Sequence, residues 1–125
     1  MGNSPISVSP QWFISNKRGV EALRLVDVRK VPAFEQSGKM IPGAVWRDFA
    51  RVEDWAGQYD PDDSILVYCV HGHEVSQNTV SKLLAMGYRA RFLEGGFEAF
   101  LEAGGDAIDP EGQSVLKGAD SGAIK

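Results

Sequence analysis

The sequence predicts an α/β protein built on a parallel sheet, and three observations lead there. Short β-rich runs alternate with segments of helical spacing, the pattern of strands connected through helices. One run, Ile65-Leu66-Val67-Tyr68, is unbroken, apolar and partly β-branched, as suits a central parallel strand covered on both faces. Turn residues such as Pro42-Gly43 and Pro61-Asp62-Asp63 punctuate the runs at short intervals.

The elements follow in order. Residues 6–8 form a short first strand. Ser9-Pro10 is an N-cap followed by a proline suited to the first helical turn, so a short helix begins there. Residues 23–27 make the second strand, and 31–37 a helix stopped by Gly38. The Pro42-Gly43 turn leads into a third strand at 44–46. Residues 52–59 are read as helical, and 65–68 as the central strand. Val80, Leu83 and Leu84 fall at helical spacing in a helix expected from Val75 or Ser76, with Gly87 as its left-handed cap. Residues 90–93 form the last strand. Phe97, Phe100 and Leu101 mark a helix that ends at Gly104-Gly105. Residues 1–108 are expected to form one domain, and the polar, glycine-rich residues 109–125 a loosely ordered tail.

Composition narrows the function classes. The chain of 125 residues is 43% hydrophobic and 24% charged, with a formal net charge of −4. Its longest Lys/Arg runs are pairs such as Lys17-Arg18, which argues against a nucleic-acid-binding stripe. A single cysteine makes no internal disulfide. The N-terminal residues lack a signal-peptide pattern, Gly2 is followed by Ile6 where a myristoylation motif needs Ser or Thr, and no apolar run reaches membrane-spanning length. A cytoplasmic protein without membrane partners is expected.

The stretch Tyr-Cys-Val-His-Gly-His-Glu-Val-Ser-Gln, residues 68–77, holds the lone cysteine, Cys69, and both histidines, His71 and His73. It lies between the buried strand and a helix N-terminus, where open α/β sheets place ligands and free N–H groups favour anions. Three readings compete. The alternation of Cys69, His71 and His73 puts them on one face of an extended chain, a ligand set zinc accepts, although Gly72 interrupts it and no further Cys or His completes a site. A Cys–His catalytic pair normally brings its histidine from elsewhere in the chain. In the third reading only the sulfur matters, and successive backbone N–H groups form a nest around a thiolate or persulfide anion. A cysteine that is merely a small buried hydrophobe is the bland alternative.

Three segments together resemble a single-domain rhodanese, a sulfurtransferase. Leu-Val-Asp-Val-Arg at 25–29, followed by Ile-Pro-Gly-Ala at 41–44, resembles the family's first motif. Residues 65–76 resemble its strand and six-residue active-site loop, and residues 83–100 its helix, last strand and Gly-Gly helix. The Cys-x-His-Gly form is most similar to small bacterial thiosulfate sulfurtransferases. The resemblance implies a three-layer fold, with about five parallel strands and helices on both faces. It implies that Cys69 takes sulfur from thiosulfate or another sulfane-sulfur donor as a persulfide, which passes to cyanide or to a thiol or dithiol protein. Val70, His71, Gly72, His73, Glu74 and Val75 would form the loop that binds it, with no cofactor and no metal. There are departures. Many family members carry Arg in this loop, and here the positions hold Val70 and Glu74. Glu74 also motivates a rival reading as a noncatalytic or redox-sensing module, in an oxyanion-stress context for example.

Further residues carry expectations. Asp27 and Arg29 end the second strand as a structural pair, with Arg29 also a candidate rim contact for an anionic donor. Arg47 and Arg51 follow the third strand on the same edge and offer to steer an anion. Trp46 and Trp55 are read as core. Gly72 is expected in a turn closed to other residues, and Gly95-Gly96 in a close strand-to-helix passage. A cysteine phosphatase needs Arg six residues after its nucleophile, and Val75 occupies that position.

Overall fold

The computed structural model of the protein describes residues 6–109. Five parallel strands form one sheet: β1 (Ser7–Val8), β2 (Leu23–Asp27), β3 (Val45–Trp46), β4 (Ser64–Tyr68) and β5 (Arg89–Leu93), in the spatial order β1-β5-β4-β2-β3. The apolar run at 65–68 is the central strand, as its composition requires. Asp27 of β2 stands opposite Tyr68 of β4 at the carboxyl edge of the sheet.

Among the described residues six helices flank the sheet: α1 (Pro10–Ser15), α2 (Lys17–Glu21), α3 (Val31–Ser37), α4 (Val52–Trp55), α5 (Glu74–Ala85) and α6 (Gly96–Glu102). Alternate residues of each strand feed two cores. Leu25, Leu66, Tyr68 and Leu93 pack with Phe13, Phe34, Phe97 and Phe100 from α1, α3 and α6. Val26, Ile65, Val67 and Phe92 pack with Val52, Trp55, Val80 and Leu83 from α4 and α5. Full burial of each such side chain contributes roughly 1.5–3 kcal/mol.

The caps explain the boundaries. Ser9 Oγ accepts a hydrogen bond from Trp12 N at 3.0 Å, and Pro10 opens α1. Gly38 ends α3 at φ 65°. After α5, Gly87 at φ 94° donates to Leu84 O at 3.0 Å, and Tyr88 N donates to Leu83 O at 2.9 Å, a Schellman arrangement. Gly104 and Gly105 repeat it after α6, donating to Leu101 O and Phe100 O.

Several elements differ from expectation: β1 begins one residue later, at Ser7, and β4 and β5 one residue earlier, at Ser64 and Arg89. Helix α5 begins at Glu74, ahead of the expected Val75 or Ser76, because Glu74 already suits the first turn. Residues 49–58 form a 3-10 turn, α4 and a second 3-10 turn instead of one helix. Strand β3 starts at Val45 rather than at 44. Helix α2 carries no apolar stripe to announce it, and only its Val20 packs on the core. Met40 and Ile108 pair as an antiparallel bridge and tie residue 108 to the body of the fold. The expected loose tail lies, beyond Asp109, outside the described residues. Among the described residues no helix is long and apolar enough to cross a membrane.

The topology creates one crevice. From β2 the chain leaves to α3 on one face, and from the neighbouring β4 it leaves to α5 on the other. Two adjacent strands whose exits diverge leave a gap at their carboxyl ends, where α/β sheets bind ligands.

Candidate active site

Cys69 is the first residue beyond β4 and is buried, with 6% of the residue exposed. The loop after it is fixed by its carbonyls. Cys69 O accepts from Phe97 N at 2.8 Å and Val70 O accepts from Glu98 N at 3.0 Å, both at the start of α6. Gln77 Nε2 donates to Gly72 O at 3.0 Å. With the carbonyls so engaged, the backbone N–H groups of residues 70–75 have no acceptor in the chain among the described residues. They are available to an anion.

Two glycines make this approach possible. Gly72 has φ 71°, and a Cβ there would lie 2.6 Å from Gly95 N and 2.7 Å from Leu93 O. Gly96 has φ 66°, and a Cβ there would lie 2.5 Å from both Cys69 O and Val70 O. The loop and the β5–α6 passage therefore touch backbone to backbone, which only glycine permits.

The thiol has one hydroxyl partner. Cys69 Sγ donates to Ser76 Oγ at 3.2 Å, and Ser76 Oγ lies 3.5 Å from His73 O, to which it donates. Ser76 is fully buried. Sequence reasoning missed it, yet a signal existed: Ser76, Val80 and Leu83 share one helical stripe, which makes Ser76 a polar residue on a buried face beside the loop.

The histidines make no hydrogen bond to the Cys69 sulfur among the described residues. Both are exposed, with ring centroids 6.1 Å apart, and His71 Nδ1 lies 3.2 Å from Glu98 Oε1. The Gly72 turn breaks the alternation that would align them with Cys69. Among the described residues no group of three His, Cys, Asp or Glu side chains is placed to hold a metal ion. Glu74 is exposed in the first turn of α5.

Asp27 and Arg29 lie below the crevice and are almost fully buried. Arg29 Nη2 donates to Asp27 Oδ2 at 2.6 Å and to Lys39 O at 2.8 Å, its Nε donates to both Asp27 oxygens, and its Nη1 donates to Ser37 Oγ. The guanidinium lies 4.3 Å from the Phe97 ring centroid. Tyr68 Oη donates to Asp27 Oδ2 at 3.0 Å and accepts from Ile41 N at 3.1 Å. Burial, and then the neighbouring Asp27 charge, push the Tyr68 phenol well above its usual range.

A cavity of about 230 Å³ opens over Cys69. The loop residues from Cys69 to Val75, except Gly72, line one side, and Arg29, Lys30 and Ala33 line the other. Arg47 does not line it. Its Nε lies 3.4 Å from Tyr59 Oη, and its backbone N–H donates to Asp27 O. Arg51 pairs with Asp54 at the surface. Trp55 is buried core, and Trp46 is half-buried and donates from Nε1 to Arg29 O at 2.9 Å. The exposed cation beside the cavity is Lys30, which sequence reasoning passed over although it directly follows the Asp27–Arg29 motif.

Known proteins match both sequence and fold. The thiosulfate sulfurtransferase GlpE of Coxiella burnetii is 29% identical over 96 residues, covering 76% of this chain and 84% of that protein. A rhodanese-related protein from Thermoplasma volcanium superposes with a TM-score of 0.71 at 20% identity, over 82% of this chain and 97% of that one. A Rhodopseudomonas palustris protein described as of unknown function and a possible tyrosine phosphatase superposes at 0.73 with 24% identity, over 83% and 85%. These structures share the fold, and the family model for the rhodanese-like domain matches residues 9–103. The chain belongs to the rhodanese-like domain family.

Proposed function

We propose that the protein is a sulfurtransferase that carries sulfane sulfur on Cys69. The observation that supports this most is the setting of the thiol. It is buried in the wall of a cavity, at the start of a loop whose backbone N–H groups have no other acceptor among the described residues, and bonded to the Ser76 hydroxyl. That setting suits a thiolate or a persulfide anion and needs no side-chain base.

In the first step the Cys69 thiolate attacks the outer sulfur of a donor such as thiosulfate. The new S–S bond forms as the donor's S–S bond breaks, and sulfite leaves with the electron pair. In the second step a nucleophile attacks the outer sulfur of Cys69–S–S⁻ and restores the thiolate; cyanide leaves as thiocyanate, and a thiol or dithiol protein takes the same role in a cell. The N–H groups of Val70, His71, Gly72, His73, Glu74 and Val75 hold the negative outer sulfur. Ser76 turns its proton from His73 O to the sulfur when charge develops there. Asp27 and Arg29 position the loops, since the guanidinium is occupied below the cavity. Residues 1–108 are the acting unit, in a reducing cytoplasm that keeps Cys69 free.

The test is thiocyanate formation from thiosulfate and cyanide, with intact mass of the protein after thiosulfate alone. We expect turnover and a protein one sulfur heavier, both lost in Cys69→Ser. No turnover and no adduct with any sulfane-sulfur donor overturns the reading. The rival, a noncatalytic module, draws on the Glu74 carboxylate at the cavity mouth. It expects an inert wild type that gains activity in Glu74→Ser.

A further inference from the structure

The edge of the sheet opposite the Cys69 loop holds a second space. A cavity of about 350 Å³ lies there, where β2, β4 and β5 begin. Side chains alternate across a strand, so Arg89 and Arg91 share a face with Leu93, which is packed in the core with Phe13 and Phe100. Arg91 stands opposite Leu66 of β4. Leu23 lines the cavity from the start of β2, Trp12 from α1, and Ile6 from just before β1. The carboxyl half of this face is buried under helices, with Tyr68 and Leu93 fully covered. At the amino half the cover gives out: Ile6 is 59% exposed and Trp12 41%.

The charges around this space are all of one sign. Arg89 and Arg91 are exposed, and among the described residues neither makes an ion pair. Arg24, exposed at the same edge, is paired with Asp63. Among the described residues no acidic side chain lines the cavity, so a chain of net charge −4 gathers two unpaired guanidiniums over an apolar floor. Two positions apart on one strand, their Cα atoms are about 7 Å from each other. Each presents a planar fork of donors that matches a carboxylate. The volume falls within the range of small-molecule sites, about 300–1,000 Å³.

We propose that this cavity binds a small organic anion with an apolar body, an alkyl or aryl carboxylate. Its carboxylate lies between the Arg89 and Arg91 guanidiniums. Its hydrocarbon part rests on Leu23, Leu66 and the Trp12 ring, and removes apolar surface from water. An uncharged apolar molecule leaves the two cations unmatched, and a compact anion such as phosphate leaves the apolar floor wet. The length of β4, about 16 Å from Ser64 to Cys69, separates this site from the sulfur, so the proposal does not depend on the chemistry at Cys69.

The test titrates the full chain, labelled with nitrogen-15, with octanoate, octanol and inorganic phosphate. It follows the indole N–H resonance of Trp12, assigned by its loss in Trp12→Phe, together with the amides of Leu23 and Arg91. Octanoate should shift these signals and bind about tenfold more tightly than octanol, the scale of two exposed ion pairs. Phosphate should not shift them. Arg89→Gln and Arg91→Gln, both at exposed positions, should each weaken octanoate about threefold, and the double variant should bind octanoate and octanol alike. Equal binding of octanoate and octanol by wild type, octanoate affinity that survives the double variant, or phosphate binding as tight as octanoate overturns the proposal. Sedimentation of wild type and the double variant tests a second copy of the chain as the occupant. A dimer that the arginine substitutions dissociate overturns the small-anion assignment, and a monomer in both supports it.

Discussion

The chemistry of the site comes down to which atoms touch one sulfur. Among the described residues Cys69 Sγ has a single side-chain hydrogen-bond partner, a hydroxyl whose other hydrogen bond there is a long one to His73 O. A hydroxyl can donate to a thiolate but cannot take charge itself, so in the proposed mechanism Ser76 serves as a donor to the sulfur without competing for its proton. Ser76→Ala should therefore slow alkylation of Cys69 by iodoacetamide at neutral pH by about tenfold, the scale of one lost hydrogen bond to a charged group. Ser76→Thr, which keeps the hydroxyl, should restore most of the rate. Equal rates in wild type and Ser76→Ala would remove Ser76 from the mechanism. Cys69 was legible in the sequence because it is unique and follows the strongest strand. Ser76 and Lys30 were not, because their relevance depends on where α5 starts and how the β2 loop folds back. The histidines drew attention by clustering, but the Gly72 turn sends them to the surface.

At the scale of elements, the loop is shaped by what lies behind it. Its carbonyls are pinned to the start of α6, and its Gly72 rests against the backbone of Gly95 and Gly96. Gly72 and Gly87 both have positive φ, yet they differ in surroundings: backbone atoms crowd Gly72, while nothing lies within 4 Å of a Cβ at Gly87. Gly87→Ala should cost only the left-handed strain, about 1–2 kcal/mol. Gly72→Ala adds a backbone collision and should cost about 3 kcal/mol or more, with loss of sulfur loading. Urea denaturation of the two variants separates these terms, and equal costs would show that the loop can yield. The regular elements were readable because strand composition, apolar spacing, N-caps and glycine stops agreed with one another. Helix α2 and the two 3-10 turns escaped, since short polar turns are held by local hydrogen bonds and by contacts that no periodicity records.

At the scale of the whole molecule, one buried network joins the sheet to its carboxyl-edge loops. Asp27 of β2 accepts from Arg29 and from Tyr68 of β4, Arg29 reaches Ser37 and Lys39 O after α3, and Tyr68 Oη accepts from Ile41 N. Its charges are buried but paired, so the loss of one member is costly. Tyr68→Phe leaves Ile41 N–H without its acceptor and Asp27 short of a donor, which should cost about 1–3 kcal/mol near pH 8. The network also predicts an alkaline limit. The folded phenol is pushed well above the usual range, first by burial and then by Asp27. The native state therefore holds the Tyr68 proton to higher pH than the unfolded chain does. The resulting stability is fully present below about pH 10, where an unfolded tyrosine ionises, and is lost as pH rises towards the native value. Between those limits each pH unit removes about 1.4 kcal/mol. Urea unfolding at pH 8 and pH 11 should show wild type losing about 1 kcal/mol more than Tyr68→Phe over that interval. The comparison isolates Tyr68, because the other tyrosines and the lysines are common to both proteins. Parallel losses would mean that Tyr68 gives up its proton without opening the network.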